Sequence, residues 1–181
     1  MGEPIRTVLD AALFAARVHA GQQRKGAAAE PYVNHLLEVA AILGAHGAPE
    51  IAIVAGLLHD TVEDTETTEA ELRAIFGDEV TLIVLECTDD KTLPKETRKE
   101  LQVRRAPHKS DWAKQVKLAD KISNLRSIMA SPPAGWPHAR RVEYVGWAGR
   151  VAVGLAGVNP ALDALFAETY RMAIAALAAE G

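Results

Sequence analysis

Residues 51–68, IAIVAGLLHDTVEDTETT, run from an unbroken apolar stretch into His59, Asp60, Glu63 and Asp64. A buried helix ordinarily finishes with a cap and an exit. This one finishes in ligand-type side chains, and its reading as a helix over 50–60 sets the fold. The chain has 181 residues, is 49% hydrophobic and only 5% aromatic. Ala and Leu supply much of the apolar content, which favours packed helices over a sheet rich in Val, Ile and Tyr. The expectation is an all-α helical bundle forming one domain over 1–181.

Outward from that stretch, helical periodicity and turn signals predict further helices. Pro4 suits the first turn of a helix over 4–20, closed by Gly21, and QQRKGAAAEPY follows as a loop. Asn34 is the expected cap of a helix through 45. Thr68 with Glu71 three residues on forms a capping box for EAELRAIF, which Gly77 closes before a helix over 78–87. Pro94 opens a helix toward 105. Residues 88–117 carry dense charge of both signs and read as a solvated face, with a flap over a site as the other reading. A long helix spans 110–130, with Leu118, Ile122, Leu125 and Met129 as its core stripe, before SPPAGWP stops it. Helices over 138–155 and 160–179 complete the pattern.

A formal net charge of -4 gives no general electrostatic reason to bind nucleic acid or anionic membrane. MGEPIRTVLD lacks a signal-peptide pattern, and no apolar run reaches the ~18 residues of a membrane span. Arg6 stands where a myristoylation signal wants Ser or Thr. A cytoplasmic location is expected. The single Cys87, within VTLIVLEC, cannot form an internal disulfide and reads as a core thiol.

His59 and Asp60 supply imidazole nitrogen and carboxylate oxygen, both good donors to a borderline divalent metal. Adjacency alone also fits a hydrogen-bonded cap. Glu63 and Asp64 lie four residues further on, so one turn gathers three carboxylates and an imidazole, a crowding that calls for a cation. His35, after PYVN, and Asp120, in VKLADKISNLRSI and off the stripe of its own helix, are the further candidates. Together His35, His59, Asp60 and Asp120 make a two-His, two-Asp site able to activate water.

The pieces HAGQQRKGAAAEPYVNHLLEVAAIL, AGLLHDTVEDTETT and VKLADKISNLRSI, in that order, resemble the HD-type hydrolase domain of the RelA/SpoT family. The likeness is to its small single-domain alarmone hydrolases, the type that includes the metazoan SpoT homolog, and RRVEYVGWAGRVAVGLAG extends it toward the C-terminus. The resemblance implies His35, His59, Asp60 and Asp120 as metal ligands, manganese as the metal, and Glu63 and Asp64 as the pair that positions and deprotonates the attacking water. It further implies Arg24 and Lys25 as the basic loop meeting the nucleotide, Asn124 as a polar contact, and Arg140 with Tyr144 as a helical pair facing substrate. Lys121 and Ser123 receive no function. Tyr32 reads as a packed aromatic rather than a base-stacking platform, and His19, His46, His108 and His138 as structural or surface residues.

The implied reaction is hydrolysis of (p)ppGpp at the ribose 3′ position, giving GDP or GTP and pyrophosphate, without synthetase activity. A related phosphohydrolase acting on (p)ppApp, on NADPH at its 2′-phosphate or on another nucleotide stays open, as does a regulatory module that only binds nucleotide. Sequence leaves the oligomeric state and the identity of the base open.

Overall fold

The computed structural model describes residues 3–180, with side chains from residue 7 onward, so the first residues of the segment read for targeting signals lie outside the described side chains. Nine α-helices occupy the described residues, with isolated bridges and no strand. α1 (Glu3–Val18), α2 (Val33–Ala45) and α3 (Glu50–Leu58) pack on one another, and the short α4 (Thr61–Asp64) follows α3 across a turn made by His59 and Asp60. α5 (Glu69–Cys87), α6 (Lys95–Arg105), α7 (Asp111–Ala130), α8 (His138–Leu155) and α9 (Pro160–Glu180) complete the bundle. The all-α expectation holds.

α7 is the central element, in contact with α2, α3, α5, α8 and α9. Its residues Leu118, Ile122 and Leu125 are buried as their periodicity requires, while Met129 is half-buried and Ile128 takes the deeper place. The buried apolar side chains join into one cluster, which also encloses Cys87. Within α5 the chain breaks at Gly77, whose φ of 83° leaves helical space, so the stop read from sequence is real. The Thr68 hydroxyl accepts from the Glu71 amide at 3.2 Å, as the capping box requires.

Asn34 is not a cap: it lies inside α2, and Tyr32 occupies the capping position without a side-chain bond. The reason is the preceding loop. Gln23 and Pro31 pair antiparallel, and the Tyr32 amide donates to the Gln22 carbonyl at 2.9 Å, so the chain turns into the helix two residues earlier than Asn34 suggested. The same loop is pinned to the α7–α8 connection, where the Ala134 amide donates to the Lys25 carbonyl at 2.9 Å. A Cβ at Gly26 would stand 2.5 Å from the Ser131 carbonyl oxygen, so only glycine allows this approach.

Candidate active site

α2, the α3–α4 turn and α7 bring His35, His59, Asp60 and Asp120 together. His35 Nε2 lies 3.3 Å from Asp120 Oδ1 and 3.8 Å from Asp60 Oδ2. His59 Nε2 lies 3.1 Å from Asp60 Oδ2 and 3.8 Å from Asp120 Oδ1. His35, His59 and Asp120 present donor atoms within 4.8 Å of one another and are buried, with Asp60 at the more open side. All of the expected ligands converge.

The ring orientations are set from behind. His59 Nδ1 lies 2.8 Å from the Gly56 carbonyl, which only accepts, so Nδ1 carries a proton and Nε2 is the nitrogen turned inward, the one that offers a lone pair once it gives up its own proton. That Nε2 is buried and has no hydrogen-bond partner among the described residues. A buried, unpartnered imidazole nitrogen facing two carboxylates fits a divalent cation.

Electrostatics without the cation make the same point. Burial works against a charge on His59, but Asp60 and Asp120 outweigh it and hold its pKa well above the usual value. His35 is pushed down by burial. Burial also works to raise Asp60 and Asp120, yet ion pairing, with His59 for the first and Lys121 for the second, holds both well below the carboxylate range. A proton on His59 occupies the electrostatic role a metal would take.

Side chains around the cluster fix the carboxylates. The Tyr32 hydroxyl donates to Asp60 Oδ2 at 2.6 Å, and burial followed by the Asp60 charge raises its phenol far above normal, keeping it a donor. Lys121 Nζ donates to Asp120 Oδ2 at 2.9 Å, and Lys117 stands 3.9 Å from the same oxygen. Asn124 Nδ2 donates to Asp120 Oδ1 at 2.5 Å while its own Oδ1 accepts from Arg24 at 3.0 Å.

Glu63 and Asp64 differ in setting. Glu63 accepts from the Asp89 amide at 2.9 Å and lies 3.8 Å from Arg98, and burial raises its pKa. Asp64 pairs with Lys91 at the surface, and its carbonyl accepts from Gln22 at 2.8 Å.

Two cavities lie near this cluster, the first lined by its hydrogen-bond partners Tyr32 and Asn124. The first, about 250 Å³, is lined by Arg24, Lys25, Tyr32, Asn124, Trp136 and Tyr144. The second, about 340 Å³, includes Glu63 with Lys95, Arg98, Lys99, Arg140 and Trp147, and shares Lys25, Trp136 and Tyr144 with the first. Arg140 stacks over Trp136 at 4.2 Å from the ring centre, and Tyr144 lies between the two tryptophans.

The family profile described as the HD domain matches residues 11–145. The chain belongs to the HD-domain family. Within it the chain falls in the MESH1 group: the human guanosine-3′,5′-bis(diphosphate) 3′-pyrophosphohydrolase MESH1 is 50% identical over 165 residues, 90% of this chain and 92% of that protein. The Drosophila melanogaster protein of the same name is 39% identical over 170 residues, 93% of this chain and 95% of the relative. A solved structure, described as a metazoan ortholog of SpoT that hydrolyzes ppGpp and plays a role in starvation responses, superposes with a TM-score of 0.88 at 39% identity, covering 92% of this chain and 94% of the other.

The structure adds residues to this HD domain's site that periodicity did not find. Tyr32 is a packed aromatic, as read, but also a donor to Asp60. Trp136 and Trp147 form cavity walls. Lys117 and Lys121 are buried beside Asp120; a lysine pair at four-residue spacing flanking an aspartate inside an apolar helix was a legible signal, because a buried ammonium needs an anion. Residues of 88–117 contribute Lys95, Arg98 and Lys99 to the second cavity, so this segment forms one of its walls.

Proposed function

We propose that residues 1–181 form a single HD-type catalytic unit acting as a manganese-dependent guanosine-3′,5′-bis(diphosphate) 3′-pyrophosphohydrolase, converting (p)ppGpp to GDP or GTP and pyrophosphate. The observation that carries the reading is the unpartnered His59 Nε2 facing Asp60 and Asp120, in a chain 50% identical to a pyrophosphohydrolase of that name. A divalent metal held by His35, His59, Asp60 and Asp120 would supply Lewis acidity and a lowered pKa for water. The mixed nitrogen and oxygen donors suit several first-row metals, and manganese follows from the family resemblance.

Glu63 is the proton acceptor in this mechanism. Its raised pKa moves it toward the operating pH, and the Asp89 amide fixes one of its oxygens. Asp64, tied to Lys91, orients the turn. Water attacks the phosphorus bonded to the ribose 3′ oxygen, the bond to that oxygen breaks, and the proton held by Glu63 returns to the 3′ oxygen. Arg24 and Lys25 beside the first cavity, and Lys95, Arg98 and Arg140 beside the second, offer cationic partners to a substrate bearing two diphosphates. Tyr144 with Trp136 gives the nucleoside an aromatic surface. The substrate is a small nucleotide rather than a nucleic acid. A cytoplasmic site of action fits a chain in which no described helix is long and apolar enough to cross a membrane and whose Cys87 is a buried free thiol.

Anion-exchange analysis of ppGpp incubated with purified protein and manganese, beside a chelator control and parallel ppApp and NADPH reactions, tests the proposal. Metal-dependent appearance of GDP and pyrophosphate supports it. Preferential consumption of NADPH or ppApp replaces the substrate, and binding of ppGpp without turnover replaces the enzyme by a nucleotide-binding module.

A further inference from the structure

Behind His35 runs a hydrogen-bonded line that leaves the site altogether. His35 Nδ1 lies 2.8 Å from Ser123 Oγ, and Ser123 Oγ donates to Glu38 Oε2 at 2.7 Å. Arg126 holds the other oxygen, Glu38 Oε1, at 3.2 Å. His35 and Glu38 sit three residues apart on α2, and Ser123 and Arg126 three apart on α7, so each pair shares a helix face and the two faces mate. Ser123 is fully buried, whereas the Glu38 side chain is 38% exposed. The line thus links the helix surface to the centre of the ligand cluster.

Proton counting gives the line a direction. A carboxylate paired with Arg126 only accepts, and a hydroxyl has one proton. With that proton given to Glu38, Ser123 Oγ can only accept, so the proton between it and His35 belongs to Nδ1. His35 Nε2, the atom facing Asp120, is then left as a lone pair. The Gly56 carbonyl does this for His59 directly; for His35 a hydroxyl, which could point either way, is made one-way by a carboxylate.

We propose that Glu38 and Ser123 are positioning residues that fix the Nδ1–H tautomer and the ring orientation of His35 and so set the metal affinity of the site. The proposal rests on His35 as a metal ligand and not on the identity of the substrate. Partners of this kind are typically worth about 10- to 100-fold in metal affinity.

Manganese affinity is measured by competition with a chelating fluorophore for the full-length wild type, Ser123→Ala, Ser123→Thr and Glu38→Ala. In parallel, the His35 tautomer is read in the metal-free proteins from long-range nitrogen–proton correlations at mildly alkaline pH. Ser123→Ala should weaken manganese binding about 10- to 100-fold, Ser123→Thr should restore it by keeping the hydroxyl, and Glu38→Ala should introduce the Nε2–H tautomer with a smaller loss. Glu38 is half-exposed, so its variant keeps the test alive if Ser123→Ala fails to fold. Wild-type affinity in Ser123→Ala, or an unchanged tautomer and affinity in Glu38→Ala, overturns the proposal. Protein that shows the expected affinity pattern yet leaves ppGpp intact overturns the proposed substrate and leaves the relay standing.

Discussion

Replacing Asp120 by Asn keeps the shape of the side chain and removes its charge, which isolates what that charge does in the metal-free fold. Asp120 Oδ2 is 2.9 Å from Lys121 Nζ and 3.9 Å from Lys117 Nζ, and both lysines are buried. In the variant two buried ammonium groups face a neutral amide. Removing one partner of a buried ion pair costs about 3–5 kcal/mol, and for a domain of this size each kcal/mol lowers Tm by about 2–4 °C. The expected fall is therefore about 6–20 °C, read by circular dichroism in the presence of chelator so that metal binding does not enter. The pH dependence has a definite sign. Asp120 is held below its unfolded pKa, so its contribution is complete above that value, about 3.9, and is lost only as pH falls through the lower folded value. Because Asp120 also sustains the charge on His59, the gap between wild type and variant should be at least as large at about pH 5 as at about pH 7, closing only in stronger acid. Melting of the variant within a degree or two of wild type in chelator would refute the reasoning, because it would mean that Lys117 and Lys121 are not sustained by this carboxylate.

Glu63→Gln should keep manganese occupancy, measured by elemental analysis, while turnover falls about 100- to 10,000-fold; a near-wild-type rate removes Glu63 from the chemistry. Asp64→Asn, which weakens a surface pair with Lys91, should cost less than Glu63→Gln in the same assay. Because burial raises Glu63, the acid limb of the pH–rate profile should fall above the usual glutamate pKa of about 4.3 and should change in Glu63→Gln; an identical limb in the variant assigns it elsewhere. Tyr32→Phe removes a 2.6 Å hydrogen bond to Asp60 and should destabilise the chelated protein by about 1.5–3 kcal/mol in denaturant unfolding, with no change in stability as the contrary result.

Local signals served the fold well. Thr68, Gly77 and the 118–122–125 stripe each act within one turn of their own position, and each does in the structure what its spacing suggests. The donor types in HDTVED were legible for the same reason, but of that stretch only His59 and Asp60 join the cluster: the turn at 59–60 breaks the helix, and Glu63 faces Asp89 and Arg98 while Asp64 pairs with Lys91. Where sequence reasoning failed, the deciding contact was distant. Asn34 lost its capping role to the 22–32 loop pairing, Ser123 meets Glu38 across 85 positions, and Trp147 donates to the Lys99 carbonyl across 48. Periodicity tells which side of a helix faces inward and not which residue waits there.

Lys117 and Lys121 alter what a cation brings to the site. Their ammonium groups lie against the carboxylate of Asp120, and with Asp60 the innermost fixed charges form a balanced set of two positive and two negative side chains. A dication seated there would not be neutralised by its surroundings. Its charge would remain available to a polyanion, giving a chain with a net charge of -4 a local positive focus that gathers phosphate groups from solution against the field of the rest of the molecule.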